Sequence, residues 1–566
     1  MKNNFSSWFA EKWVFILYYV FIAVNIIPNL LLLITEPYDA VGKIVLLIMP
    51  LGVLLILTSL IRRVGGMQLA LLPLFFFHAF QLVVFSLFKE DVVAVDMFLN
   101  LVTTNASEAG ELLKSILVPT LVVCFTYILV IVFVIISFRK KVYYTRGFLR
   151  KNLIVGVILT LFSFLLLPFG KEENTQTFDV HVNVYPVNVM YNMYFAFNKL
   201  NKINHYDQTS SSFTFDVTKR SKSDAREIVV LVIGETSRAE NWGAYGYERE
   251  TTPNISSDDN FLVFQDALTQ SNTTHKSVSI ILSPTSAENY DDIYDQKSIL
   301  TAFKEAGFNT VFLSNQARNA SFIEFFGDEA DHVEYFREVN SATNHYDDVL
   351  LERIKHYVHA SDQSTFIVVH TYGSHFNYGE RYPKEFQQFT PDLFSSISEI
   401  SRPNMVNAYD NSILYTDYLL NEISTLLEVG DTESALLYLS DHGEDIMDDA
   451  RGRFLHASPN PTYYQLRIPF IMWFSDDYIK LNPEKVELAR MNQNTPVSSS
   501  MVFHTLLDVA GIESSYVDKG SSLVNTDLEQ KPRMYLGDHD NPVHFTKTNL
   551  KKEDVIMLEK NNISTY

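Results

Sequence analysis

Five apolar stretches, approximately 13–35, 44–61, 67–88, 115–138 and 152–169, fill most of the first 170 residues. Each approaches or exceeds the roughly 18–20 residues that a helix needs to cross a bilayer. Five such runs in so short a length argue against buried core helices and for a five-span transmembrane domain over 1–170. The first run is too long for a secretory signal and lacks a small-residue cleavage site, so it is expected to be retained. Basic residues set the orientation. Arg62 and Arg63 lie between the second and third runs, and Arg139, Lys140, Lys141, Arg146, Arg150 and Lys151 between the fourth and fifth. The alternate loops, 36–43 and 89–114, are acidic or mixed. The positive-inside rule then puts the N-terminus in the cytoplasm and everything after Gly170 on the outer side. His78, mid-span in FFFHAF, is expected to make a helix-packing hydrogen bond in preference to serving a proton relay.

The acidic residues behind the net charge of −21 lie mostly beyond these runs. That argues against nucleic acid as a partner, which needs a clustered basic surface. Small phosphorylated substrates stay open, because a metal ion can attract them locally. The single cysteine, Cys124, sits inside an apolar run, so neither a disulfide framework nor a cysteine metal site can be built. Any metal must be held by carboxylate, imidazole, hydroxyl or carbonyl groups.

Residues 171–225 read as a connector. The aromatic-rich segment from Tyr185 to Phe195 suits either a helix lying in the membrane interface or one packed on a soluble domain. Gln208–Ser212 and Lys219–Arg226 have linker composition. From Arg226 onward strand and helix patterns alternate. Strands are expected at 228–233, 310–314, 365–370, 435–439, 468–474 and 534–537, and helices at 298–306, 343–358, 404–428 and 499–510. Such alternation predicts an α/β domain over 226–566 with a mainly parallel central sheet.

Three strands end in polar clusters. The run Ile228–Ile233 leads through Gly234 to Glu235; 365–370 leads to His370-Thr371-Tyr372-Gly373-Ser374-His375; 435–439 leads to Ser440-Asp441-His442-Gly443-Glu444, with His456 a short loop later. If these strands are neighbours, their carboxyl ends meet at the edge where open α/β sheets place ligands. Glu, Asp and His there form an oxygen and nitrogen ligand set suited to zinc or, less well, manganese. Adjacent ligands such as Asp441 and His442 can reach one ion only from a strand end, and the glycine after them is expected to permit an unusual backbone angle. Ser271-Asn272-Thr273-Thr274-His275-Lys276-Ser277 offers several hydroxyls as nucleophiles, although such clusters are commonly turns or caps. A hydroxyl held by a metal loses its proton easily and needs no separate base.

Taken together, GETSRAENWGAYGYERETTPNI (234–255), TTHKS (273–277), HTYGSHFNYGERYP (370–383), YDNSILYTDYLL (409–420), SDHGE (440–444) and FLHASPNPTYYQLRIPF (454–470) resemble the membrane phosphoethanolamine transferases of the alkaline phosphatase/sulfatase superfamily. The resemblance implies five spans followed by a periplasmic catalytic domain in a bacterial inner membrane. It implies transfer of phosphoethanolamine from phosphatidylethanolamine to lipid A or another envelope glycan. Carried over, it makes Glu235, Thr274, Asp441 and His442 the holders of a catalytic zinc. Thr274 becomes the nucleophile of a phospho-threonine intermediate. His375 and His456 match residues that contact the phosphoryl group or a second zinc. Thr273 remains a rival to Thr274, because the cysteine pair that often brackets the family's threonine is missing. Asn315 and Gln316 stand where the lipid A enzymes place a basic residue. The alternatives are a phosphoglycerol transferase, sulfatase or phosphodiesterase of the same superfamily, and a non-catalytic envelope protein. The absence of a C/S-x-P-x-R signature counts against sulfatase.

Overall fold

The computed structural model describes residues 2–36, 38–89, 93–103, 117–139, 141–171, 178–220, 225–337, 345–360, 362–394 and 396–565. Most of the loop 89–114, Lys140 and part of the expected 219–226 linker lie outside these. Two compact units result. One comprises Met1–Val95 and Ile116–Ala196, the other Asp96–Ser115 and Phe197–Tyr566.

In the first unit, three helices are long and apolar enough to span a membrane, within Val14–Thr35, Ala40–Ser59 and Arg146–Phe169. A fourth span results if Val64–Ala70 and Leu72–Phe85, bent by 53° to one another, count as one. The bend has a local cause, since Pro73 in the first turn of the second piece has no N–H to continue the ladder. The remaining expected run falls in the 23-residue helix Leu117–Arg139, whose stretch Val130–Arg139 is apolar. The described residues therefore support three or four of the five expected spans. Gly52 and Gly156 let two of these helices meet backbone to backbone, for a Cβ on Gly52 would stand 2.9 Å from the Gly156 carbonyl oxygen. His78 Nδ1 bonds to the Tyr127 hydroxyl, the packing role expected of it. The connector forms the helix Val187–Ile203, and Met190, Tyr194 and Phe197 are exposed along one side of it.

The second unit is built on a seven-stranded sheet. Its strands are β1 (Arg226–Gly234), β2 (Phe261–Val263), β3 (Asn309–Ser314), β4 (His332–Tyr335), β5 (Thr365–His370), β6 (Thr432–Ser440) and β7 (Phe470–Phe474), in spatial order β2-β7-β6-β1-β5-β3-β4. Pairing is parallel from β6 through β1, β5 and β3 to β4. Only β7 runs against the rest, antiparallel to both of its neighbours, β6 and β2. Strand β1 is central because both of its faces are apolar. Val229, Leu231 and Ile233 enter one hydrophobic core while Ile228, Val230 and Val232 enter the other, as the two-residue pleat requires. The helices Ile299–Glu305, Val349–His359, Arg402–Leu427 and Met501–Val509 form where expected. Met534–Leu536 is a strand but pairs with Pro542–His544, outside the central sheet.

Candidate active site

The register of the sheet delivers the site. Gly234 on β1 is level with Ser440 on β6, and Ile233 is level with His370 on β5. Glu235, Asp441 and Thr371 therefore leave three adjacent parallel strands side by side. The ladder continues one step into the loops, with Asp441 N–H donating to the Gly234 carbonyl and Thr371 N–H to that of Ile233, both at 3.0 Å.

Thr274 is the first residue of the helix Thr274–Ile281, a helix that the hydroxyl-rich composition conceals. Its hydroxyl faces Glu235 Oε1 at 3.3 Å and His442 Nε2 at 3.2 Å. Thr273, one residue earlier in extended conformation, turns the other way, with Oγ1 3.2 Å from Ser271 Oγ and 3.4 Å from Asp96 Oδ2. Geometry thus separates the two threonines. His442 Nε2 lies 3.5 Å from Glu235 Oε1 and 3.2 Å from Asp441 Oδ2. His456 joins the same group, since Glu235, His442 and His456 offer ligand atoms within 4.8 Å of one another. All the predicted residues but one are tied to this cluster by a contact or by that grouping. His375 is the exception: its ring bonds to the Phe376 carbonyl and stacks on Tyr372. His370, from the same loop motif, bonds to Ser314 instead.

Each histidine's ring is oriented by an oxygen partner at Nδ1. His442 bonds to the Gly443 carbonyl at 2.9 Å, His375 to the Phe376 carbonyl at 2.6 Å, and His456 to Glu444 Oε2 at 2.9 Å. With Nδ1 donating, Nε2 keeps its lone pair for a metal or a proton. Glu444 in turn accepts from the Tyr378 hydroxyl at 3.0 Å.

The electrostatics favour a cation here. Burial, and secondarily the charge of Asp441, pushes the Glu235 carboxyl up to about 7. Burial also pushes Asp441 up to about 7 and lowers His442 and His456 to about 4. Two adjacent carboxylates buried in this way resist ionising together unless a positive charge lies between them. Asp441 Oδ1 is occupied by the Thr236 and His442 N–H groups at 3.0 and 2.7 Å, while its buried Oδ2 has no hydrogen-bond partner among the described residues. A buried carboxylate oxygen left in that state, beside an imidazole lone pair and a hydroxyl, fits a divalent ion with oxygen and nitrogen preference.

Two glycines allow the loops to close. Gly373, at φ +52°, would carry its Cβ 2.8 Å from the Glu235 backbone nitrogen and oxygen. Gly443 corrects an expectation, because its backbone angle is ordinary. It is required because a Cβ there would run into the Tyr464 carbonyl oxygen. From the sequence, Gln316 stands only where the lipid A enzymes place a basic residue. It donates to Glu235 Oε2 at 3.2 Å and to the Thr371 carbonyl at 2.9 Å.

The sulfatase family model matches residues 227–512, about half of the chain. Phosphoethanolamine transferase EptA of Escherichia coli strain K12 is 30% identical over 314 residues, 53% of this chain and 56% of that protein. The chain thus matches about half the length of such curated relatives. Among solved structures, the periplasmic domain of EptC from Escherichia coli in complex with zinc is 25% identical and covers 60% of this chain and 97% of that one, with a TM-score of 0.54. The integral membrane lipooligosaccharide phosphoethanolamine transferase A of Neisseria meningitidis shares the fold over 88% of this chain and 98% of its own, with a TM-score of 0.69 at 23% identity.

Proposed function

The chain belongs to the sulfatase family, and from that premise we propose that it is an inner-membrane phosphoethanolamine transferase with its catalytic domain in the periplasm. The donor is phosphatidylethanolamine and the acceptor is lipid A or another envelope glycan. The observation that carries this reading is the Thr274 hydroxyl held 3.3 Å from Glu235 and 3.2 Å from His442 at the ends of the central strands. The transferases found among its relatives support the group transferred, and the apolar N-terminal helices support access to a lipid donor.

Glu235, Thr274, Asp441 and His442 would hold a zinc ion, with His456 close enough to complete or extend the set. When bound, zinc supplies positive charge that acidifies the threonine hydroxyl and offsets phosphoryl charge. The rest is done by the chain's own groups. Thr274 Oγ1 attacks the phosphorus of the donor in line, forming a P–O bond to threonine as the bond to the diacylglycerol oxygen breaks. Its proton is released to water, so Glu235 stays ionised. The departing oxygen takes up a proton, for which His375 and His456 are the candidate sources. Both are held neutral by burial, so each acts as an acid only once the phosphate's charge lies beside it. An acceptor hydroxyl or phosphate then displaces the phosphoryl group from Thr274. Catalysis of this kind is mostly positioning and electrostatic stabilisation. Tethering the site at the bilayer keeps its lipid substrates within reach.

Incubating the full chain in detergent with headgroup-labelled phosphatidylethanolamine or phosphatidylglycerol tests the reading. Release of diacylglycerol from the ethanolamine lipid supports it. Turnover of the glycerol lipid alone, or of neither, overturns it.

A further inference from the structure

The residues that flank Thr274 converge on one buried carboxylate distant in sequence, Asp96. Lys276 Nζ lies 2.9 Å from Asp96 Oδ2, His275 Nε2 lies 3.1 Å from Oδ1, and Thr273 Oγ1 lies 3.4 Å from Oδ2. Asp96 and Lys276 are 3% and 1% exposed, so this is an ion pair in the interior. It is also cross-braced. Lys276 lies 3.2 Å from Asp540 and donates to the Gly537 and Asp538 carbonyls at 3.1 and 3.2 Å. Lys199 lies 2.9 Å from Asp540 and 3.8 Å from Asp96. The electrostatics agree with firmly charged partners, since neighbouring cations, Lys276 foremost, outweigh burial and hold Asp96 well below the usual carboxylate range.

Among the described residues this cluster sets two lysines against two aspartates around the first turn of the helix that presents Thr274. Buried pairs of this kind add little net stability, because desolvation cancels most of their attraction. What they do supply is geometry, for an ion pair with several fixed hydrogen bonds tolerates little displacement. Asp96 belongs to the same compact unit as the catalytic strands. Its own segment, however, lies in sequence between the helices Leu72–Phe88 and Leu117–Arg139.

We propose that Asp96 is a positioning residue for the nucleophile: by gripping Thr273, His275 and Lys276 it fixes the first turn of the helix so that the intervening Thr274 hydroxyl faces Glu235 and His442. The inference rests on Thr274 being the nucleophile. Displacing an attacking group by an ångström can cost about a hundredfold in rate, so the effect belongs in kcat.

The test uses the full-length protein in detergent with phosphatidylethanolamine as donor. Asp96→Asn/Lys276→Met removes both charges together, which leaves no buried ion of this pair unpartnered. Its kcat is expected to fall about ten- to hundredfold, with KM within about twofold and bound zinc per chain unchanged from the native protein. Asp96→Glu, which keeps the charge and shifts the grip by one methylene, is expected to show the same split, and it decides the matter if the double variant does not fold. Native kcat in the folded variant overturns the proposal, as does a raised KM with kcat unchanged, which would make Asp96 a donor-binding group. Thr274→Ala in the same assay separates the two readings. If that variant turns over normally, the nucleophile assignment has failed; if it is dead while the Asp96 variants are native, the positioning role has failed.

Discussion

Replacing Gln316 by Leu asks whether the groups behind the metal ligands matter. Gln316 Nε2 donates to Glu235 Oε2 at 3.2 Å while it also holds the Thr371 carbonyl at 2.9 Å. A hydrogen bond to a charged group contributes about 1.5–3 kcal/mol. This one belongs at the lower end, because 3.2 Å is long for a charge-assisted bond and the Gln316 side chain is half-buried. Loss of about 1.5 kcal/mol from the ionised form of Glu235 is close to one pKa unit. Zinc binding needs that ionised form, so affinity should weaken roughly tenfold, within the range typical for partners of metal ligands. Competition with a chromophoric chelator at pH 7, on full-length protein, measures it directly. A change of less than about threefold, or tighter binding, would show that Gln316 does not support Glu235 and refute the reasoning.

Two further outcomes follow from the same geometry. Glu235 and Asp441, both raised to about 7 by burial, favour their protonated forms in the metal-free fold. Metal-free stability from these groups is therefore full below about pH 4 and is lost as the pH rises through 7. Zinc, which needs both deprotonated, should bind more tightly between about pH 5 and 7 and then level off; an affinity flat across that range, by calorimetry, contradicts it. Arg238, 3% exposed, is paired with Asp448 through two hydrogen bonds of 2.6 and 3.0 Å. Arg238→Met should lower the unfolding free energy of the C-terminal unit by about 3 kcal/mol, the low end for a broken buried pair because Arg402 still faces Asp448. Chemical denaturation giving less than about 1 kcal/mol would show that the pair is structurally idle.

The legible parts of this protein were those written in contiguous residues. The apolar run Ile228–Ile233 announces a strand buried on both faces, and the polar residues that follow it and its parallel neighbours announce a site. Parallel register then brings Glu235, Asp441 and His442 together. Edge strands β2 and β4 were missed because runs of three or four residues are too short to carry a pattern. The helix beginning at Thr274 was hidden because its hydroxyls, favourable in turns and caps, mask helical periodicity. Its anchor, Asp96, lies 180 residues before Lys276 and sits in an unremarkable amphipathic segment, so only folding joins them. Gly443 illustrates a different limit. Its presence was informative, but its reason was the approach of Tyr464 and not its own backbone. The apolar runs were legible as helices; among the described residues three of them, or four if the bent pair is one, are long and apolar enough to span.

The claim on which the account depends is that Thr274 carries the phosphoryl group. Intact-mass and peptide analysis of the zinc-loaded protein, quenched in acid after mixing with phosphatidylethanolamine and no acceptor, reads this directly. The account predicts a phosphoethanolamine adduct on Thr274 that is absent from Thr274→Ala and disappears when acceptor is added. An adduct on Thr273, or diacylglycerol release with no covalent adduct on the chain, would contradict it.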